Sequence, residues 1–227
     1  MDKVQDYYSK KVADNIDLFG QVGKTIKGKS VGNDHLQLIV KQIVSALSLS
    51  VEDKVLDFGC GNGLITREIA SKVSYVHGIE QNKALYESAL ENSTAKNISY
   101  MISDIFSFDT SDSTCNKAYM YEVIQHVEPV RLPDLMDLFK DLFSDGAMIF
   151  IGGIPDEEKK WDFYDTYDRR CGLLQALIDS GDPMGNWFHK DYLICLGESY
   201  DLSVNILPQP DSLYTSHYRF DCLIELR

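Results

Sequence analysis

The stretch Val55–Gly63, which reads VLDFGCGNG, decides the fold of this 227-residue chain. The apolar run before Gly59 is typical of a buried strand, and the residues from Leu64 onwards predict a helix directly after the glycines. Glycines at positions 59, 61 and 63 permit backbone angles closed to other residues and let a ligand approach the main chain. A strand, a glycine-rich turn and a helix in this order predict a nucleotide-type binding corner at the carboxyl end of a sheet.

The spacing of the glycines distinguishes between two kinds of nucleotide-binding site. The dinucleotide fingerprint Gly-x-Gly-x-x-Gly, counted from Gly59, requires a glycine where the chain has Leu64. Counted from Gly61, it requires a glycine where the chain has Thr66. The tighter Gly-x-Gly-x-Gly after Asp57 is the pattern of S-adenosylmethionine sites. On these residues the chain resembles the class I S-adenosylmethionine-dependent methyltransferases, and further matches follow in the same order.

The resemblance implies an α/β, Rossmann-like fold: a seven-stranded, mostly parallel sheet with an antiparallel last strand, helices on both faces, an N-terminal helical lid and an insertion after strand five. Apolar patterns predict strands at 54–59, 74–80, 98–103, 117–123, 147–151, 202–207 and 218–226. A lid helix is predicted over 3–19, where Tyr8, Val12, Ile16 and Phe19 have helical spacing. We expect one methyltransferase domain over 1–227, divided into a lid (1–50), a cofactor-binding core (51–155), a substrate-cap insertion (156–188) and a closing helix and hairpin (189–227).

The resemblance also implies which residues hold the cofactor, S-adenosylmethionine. Glu80 ends the second strand, where a carboxylate can accept hydrogen bonds from both ribose hydroxyls; the alternative is a surface glutamate. Asp104 is implied to take the adenine amino group, with Ile105 against the ring, although aspartate also starts turns freely. The other predicted cofactor residues are Tyr8, Asp57, Gly59, Cys60, Gly61, Gln81, Tyr121 and Glu122.

The end of the fourth strand is where the resemblance implies methyl-transfer chemistry, and His126 is the candidate catalytic residue. Histidine titrates near neutral pH, so it can take a proton from a hydroxyl that attacks a methyl group. The alternative is that His126 orders the loop or packs against the cofactor. Tyr7, Trp187 and His189 are predicted to contact the substrate, and His189 is an alternative to His126 as the base. Simple packing is an equal alternative for both Tyr7 and Tyr8.

The amino-acid composition limits the classes of partner that we expect the protein to bind. A net charge of -13 argues against duplex nucleic acid, because phosphate backbones select lysine and arginine. The five cysteines form no Cys-x-x-Cys pair, which fits reduced thiols, and the five histidines have no metal-ligand spacing, so no metal is predicted. The N-terminal residues form no apolar signal core, and the longest apolar run, 147–151, is too short for a bilayer. We expect a cytoplasmic monomer or homodimer without membrane insertion.

Together these patterns predict methyl transfer to a small molecule. From Trp187 onwards (WFHKDYL, ILPQP and YRFDCLIEL) the chain is similar to methyltransferases of bacterial sugar, polysaccharide and natural-product pathways, which implies a hydroxyl acceptor. The alternatives are N-methylation of a small molecule, methylation of protein or RNA, and a non-enzymatic S-adenosylmethionine-binding protein. A dinucleotide oxidoreductase is disfavoured by Leu64.

Overall fold

A computed structural model of the chain describes residues 3–15, 17–108, 114–179 and 181–227. Seven strands of this part form one sheet: β1 (Lys54–Phe58), β2 (Tyr75–Glu80), β3 (Ile98–Ile102), β4 (Lys117–Tyr121), β5 (Met148–Pro155), β6 (Leu202–Pro208) and β7 (Arg219–Leu226). Their order is β3-β2-β1-β4-β5-β7-β6. Strands β1 to β5 are parallel, and β7 is antiparallel to both of its neighbours. The predicted Rossmann-like sheet with an antiparallel last strand is confirmed.

The helices lie between the strands and before them. They are α1 (Lys3–Asp14), α2 (Leu18–Gln21), α3 (Asn33–Ala46), α4 (Leu64–Ala70), α5 (Lys83–Asn92), α6 (Leu132–Leu142), α7 (Lys160–Phe163), α8 (Tyr167–Asp179) and α9 (Lys190–Ser199). Short 3-10 turns cover Ile124–His126, Pro129–Arg131 and Glu157–Lys159, and a small hairpin pairs Thr25–Ile26 with Lys29–Ser30.

Two predicted boundaries differ from the structure by four residues or more. The single helix over 3–19 ends at Asp14, and α2 begins separately because Asp17 caps it by accepting a hydrogen bond from the Gly20 amide. Ile16, which belonged to the predicted apolar stripe, lies outside the described residues. Strand β5 continues four residues beyond the predicted end at Ile151, to Pro155. A bulge between Ile151 and Ile154 interrupts its pairing with β7, so the apolar pattern stops before the strand does.

The core has two layers because the side chains of β1 alternate between the two faces of the sheet. Val55 packs on the face covered by α3 and α4, whose buried apolar residues include Ile39 and Ile69. Leu56 and Phe58 pack on the opposite face, which α6 and α9 cover. Strand β1 is therefore covered on both sides, and its buried apolar run was the clearest strand signal in the sequence.

The order of the strands reverses between β1 and β4. From β1 the chain builds β2 and β3 outwards on one side, and it then returns to place β4 on the other side. Neighbouring loops run in opposite directions at such a reversal, which leaves a crevice beyond the carboxyl ends of the two strands. In the described residues no helix is both long enough and apolar enough to cross a membrane.

Candidate functional site

A cavity of about 330 Å³ lies at this reversal, beyond the ends of β1, β2 and β4 and beneath α1. Its volume is in the range of pockets that bind small molecules. Every residue that was predicted for the cofactor lines it, and so does His126. The structure also brings in residues that the sequence analysis missed, namely Gln5, Lys24, Asn82, Phe106 and Arg131.

The glycine-rich turn forms one wall of the cavity. Gly59, Gly61 and Gly63 all have positive φ angles, between 58° and 74°, which side chains disfavour. A Cβ atom on Gly59 would lie 2.5 Å from Cγ2 of Val123, so no larger residue fits there without displacing the β4 loop. The turn thus presents bare main chain to the cavity, as the spacing of the glycines predicted.

Glu80 connects the end of β2 to this turn. One carboxylate oxygen accepts a hydrogen bond from the amide of Gly61 at 2.8 Å, and the other accepts from the amide of Asn82 at 2.7 Å. Burial raises the pKa of Glu80, while these amide hydrogen bonds favour its ionised form. Because each oxygen has two lone pairs, each retains capacity to accept a hydroxyl from a ligand in the cavity.

Asp57 is buried behind the turn and accepts hydrogen bonds from two side chains of the protein. The hydroxyls of Thr66 (2.6 Å) and Tyr119 (2.5 Å) both donate to one of its oxygens. Burial raises the pKa of Asp57 to about 7, although these two hydrogen bonds oppose the shift. Asp57 lines the cavity, and it also ties α4 and β4 to the end of β1.

The segment after β3 builds the end of the cavity predicted for the adenine ring. Asp104 accepts a hydrogen bond from the amide of Phe106 at 2.7 Å, which fixes the turn that carries Ile105. The guanidinium of Arg131 lies 3.7 Å from the ring centroid of Phe106 and covers it. Phe106 and Arg131 were missed because their contact joins two loops that are far apart in the chain.

His126 ends the 3-10 turn after β4 and contacts the lid helix. Its Nε2 atom lies 3.3 Å from the hydroxyl of Tyr8, and the two rings meet edge to face with centroids 5.9 Å apart. Burial raises the pKa of Tyr8, so its phenol stays neutral at physiological pH. Tyr8 therefore orients the imidazole by a hydrogen bond whose direction depends on the tautomer of His126.

A buried ion pair joins Lys24, from the glycine-rich segment before α3, to Glu122 at the end of β4. Lys24 also lies over the ring of Tyr121, with its ammonium 4.7 Å from the centroid. Burial alone would raise the pKa of Glu122, but the charges of Lys24 and Arg219 hold it below its usual range. Nothing local marks Lys24, since a lysine among glycines looks like part of an exposed loop.

The lid is fastened to the site by two buried asparagines. Asn82 donates from Nδ2 to the backbone and side-chain oxygens of Gln5, both at 2.9 Å. Asn62 donates from Nδ2 to the backbone oxygen of Leu18 and to the side-chain oxygen of Gln21, also at 2.9 Å. These contacts hold α1 and α2 over the glycine-rich turn.

The three residues predicted to contact substrate lie outside the cavity lining. Tyr7 is 52% exposed and packs edge to face against Tyr8. Trp187 donates a hydrogen bond from Nε1 to Asp182 and packs among aromatic rings of the 156–188 insertion. His189 is an exposed residue at the start of α9. Their contact with substrate stays a prediction.

Comparison with known proteins agrees with this geometry. Residues 55–146 match the family described as "Methyltransferase domain". An uncharacterised methyltransferase of Schizosaccharomyces pombe is 38% identical over 53 residues, which are 23% of this chain and 20% of that protein. The chain thus spans about a fifth of the length of the curated relative that it matches.

Solved structures match over nearly the whole chain. A SAM-dependent methyltransferase from Anabaena variabilis superposes with a TM-score of 0.72 at 19% identity, covering 100% of this chain and 96% of that one. The magnesium protoporphyrin IX methyltransferase of Synechocystis, solved with bound SAH, superposes with a TM-score of 0.65 at 12% identity, covering 99% and 98%. Residues 55–146 are therefore similar to a methyltransferase domain, and the chain shares its fold with SAM-dependent methyltransferases.

Proposed function

We propose that this protein binds S-adenosylmethionine and transfers its methyl group to a hydroxyl of a small molecule. The observation that carries the proposal is the position of Glu80. Its carboxylate is fixed by the Gly61 and Asn82 amides at the rim of a cavity of about 330 Å³, opposite bare main chain. A nucleoside with two free ribose hydroxyls is the ligand that this arrangement fits.

The residues present fit the rest of the cofactor as well. Asp104 and Ile105 offer a hydrogen-bond acceptor and an apolar surface to a base, beside Phe106. Lys24 and Glu122, which carry opposite charges, lie at the other end of the cavity. They suit the amino-acid part of the cofactor, which carries one charge of each sign. When bound, the cofactor supplies an electrophilic methyl group on a sulfonium, whose transfer requires alignment rather than covalent help from the protein.

The protein's own part in the reaction is to align the acceptor, exclude water and take a proton. The lid helix α1 covers the cavity through Tyr8 and Gln5, which keeps solvent from the reacting atoms. His126 is the candidate base, and Tyr8 holds its imidazole at the cavity wall. A hydroxyl acceptor benefits from such a base, whereas a neutral amine requires less help.

For the acceptor, we propose a sugar, a polysaccharide precursor or a natural product. The support is the similarity of the chain from Trp187 onwards to methyltransferases of those pathways, together with a net charge of -13 that does not attract nucleic acid. The insertion 156–188 is proposed as the cap over this acceptor.

Calorimetry with S-adenosylmethionine, S-adenosylhomocysteine and NAD tests the proposal directly. We expect both adenosyl ligands to bind with one site per chain and NAD to give no heat of binding. Binding of NAD alone would contradict the proposal. Methyl-transfer assays with labelled cofactor on matched hydroxyl and amine acceptors then decide between O- and N-methylation.

A further inference from the structure

Arg219 is a buried cation that no carboxylate of the described residues contacts directly, although, against the effect of burial, the negative charge of Glu122 raises the pKa of its guanidinium. It begins β7 beside the bulge of β5, its side chain is 6% exposed, and it forms no ion pair within 4.0 Å in the described part of the chain. A buried charge that is not paired is costly, so proteins rarely keep one without a use for it. Arg219 does not line the cavity, although its charge helps to hold the pKa of Glu122 low.

Neither of two neighbouring acidic residues, Glu122 and Asp221, forms an ion pair with Arg219 within 4.0 Å, although Oδ2 of Asp221 has no hydrogen-bond partner among the described residues. Glu122 is paired with Lys24. Asp221 accepts hydrogen bonds from the amide of Gly153 at 2.8 Å and from the side chain of Gln209 at 2.9 Å. Burial raises the pKa of Asp221 to about 6, which further weakens it as a counter-ion in mildly acidic solution.

One edge of the Arg219 guanidinium is poorly satisfied. Nη1 donates to the carbonyl oxygen of Gly153, a normal backbone partner. Nη2 instead meets the sulfur of Met184 at 2.9 Å, and Nε has no hydrogen-bond partner among the described residues. A thioether is a weak acceptor. Nε and Nη2 form the side-on edge of the guanidinium, which a carboxylate takes with two parallel hydrogen bonds.

Arg219 lies close to the cavity, since its positive charge acts to lower the pKa of Glu122 and of Tyr8, two residues that line it. A Cβ atom on Gly153 would lie 2.6 Å from Cγ of Glu122, so the Gly153 peptide that holds Arg219 touches the cavity wall. Met184 belongs to the insertion segment that is fastened to the loop of His126, where the amide of Asn186 donates to the Gln125 carbonyl at 2.9 Å.

We propose that the Nε–Nη2 edge of Arg219 binds a carboxylate carried by the methyl acceptor, and that Met184 covers this edge until the acceptor arrives. Methionine suits this role because its flexible side chain repacks at little cost. The inference rests on the proposed function and narrows it: the acceptor is an acid, with its carboxylate held at Arg219 and its nucleophile directed towards His126. The competing explanation is that Arg219 only braces the bulge of β5.

The test uses acids and their matched carboxamides as probes on the full-length protein saturated with S-adenosylhomocysteine. The pairs are 4-hydroxybenzoate with 4-hydroxybenzamide, and glucuronate with glucuronamide, measured by calorimetry. We expect at least one acid to bind roughly tenfold or more tighter than its amide, the usual effect of a charge-assisted bidentate contact. In Arg219→Gln this preference should disappear, while affinity for S-adenosylhomocysteine stays within about twofold of wild type.

Two further variants keep the test decisive if Arg219→Gln folds poorly. Arg219→Lys retains the charge but loses the planar fork, so it should show a smaller preference for the acid. Arg227→Gln removes an exposed arginine that pairs with Asp201, outside both the cavity and the insertion, and it should behave as wild type.

The outcomes distinguish failure of the proposed function from failure of the Arg219 proposal. If S-adenosylhomocysteine does not bind the wild-type protein, the proposed function fails. If it binds but no acid exceeds its amide, or if Arg219→Gln keeps the preference, this inference alone is overturned. Tighter binding of inorganic phosphate than of either acid would also overturn the assignment of this edge to a carboxylate.

Discussion

Replacing Glu80 with glutamine separates the role of this residue in the fold from its role in binding. Both oxygens of the buried carboxylate accept backbone amides, at 2.8 and 2.7 Å. Glutamine exchanges one of these oxygens for an NH₂ group, which leaves one buried amide without an acceptor. We expect the free energy of unfolding to fall by about 1–3 kcal/mol, the usual cost of an unsatisfied buried donor.

Ligand affinity should fall for a second reason. The ribose hydroxyls that we place on the remaining lone pairs of Glu80 would donate to a neutral amide oxygen rather than to a carboxylate. Hydrogen bonds to charged groups are worth about 1–2 kcal/mol more than neutral ones, so affinity for S-adenosylhomocysteine should drop roughly tenfold or more. Titration calorimetry measures this affinity, and denaturant unfolding measures the stability of the same preparation.

The matched control for this variant is Glu87→Gln. Glu87 lies on the exposed side of α5 in a pair with Lys83 at 3.6 Å, outside the cavity, so its loss should change neither affinity nor stability by more than a few tenths of a kcal/mol. If Glu80→Gln loses stability but binds S-adenosylhomocysteine within twofold of wild type, Glu80 only fastens the glycine-rich turn, and the ribose assignment is refuted.

Three further predictions concern other polar groups of the site. His126→Ala should lower turnover by about 10²–10⁴-fold while affinity for S-adenosylhomocysteine changes little, which single-turnover kinetics and calorimetry measure. Lys24→Met removes the ion-pair partner of the Glu122 carboxylate, so thermal and denaturant unfolding should show a loss of about 3–5 kcal/mol, much of which the double variant with Glu122→Gln should restore. Asp57→Asn should reduce the pH dependence of stability: because the folded pKa of Asp57 is raised to about 7, its stabilising contribution is complete below about pH 4 and is lost as the pH rises through 7.

Each of these predictions has a distinct contrary result. Full turnover in His126→Ala would assign the imidazole to packing against Tyr8. A Lys24→Met protein as stable as wild type would mean that water or another group compensates Glu122. For Asp57, parallel stability curves of wild type and variant between pH 4 and pH 7.5 would show that the carboxyl titrates normally in the folded protein.

Much of the fold was predictable because its signals are local. The strands alternate with amphipathic helices, and each type of periodicity can be seen within ten to fifteen residues. The errors occurred where a single side chain or a tertiary pairing overrides periodicity. Asp17 starts a new helix within the predicted lid helix. Pairing with β7 continues β5 beyond a bulge, which the apolar pattern does not indicate.

The sequence by itself determined the sheet, the bare glycine-rich turn and the carboxylate at the tip of the next strand, because these lie within the range of one strand–turn–helix unit and its neighbour. Only the tertiary structure decided that Lys24 pairs with Glu122 and that Tyr8 meets His126. These partners are separated by about a hundred residues in the chain. No local pattern encodes such contacts, since they exist only once the crossing of the strands brings distant loops to one end of the sheet.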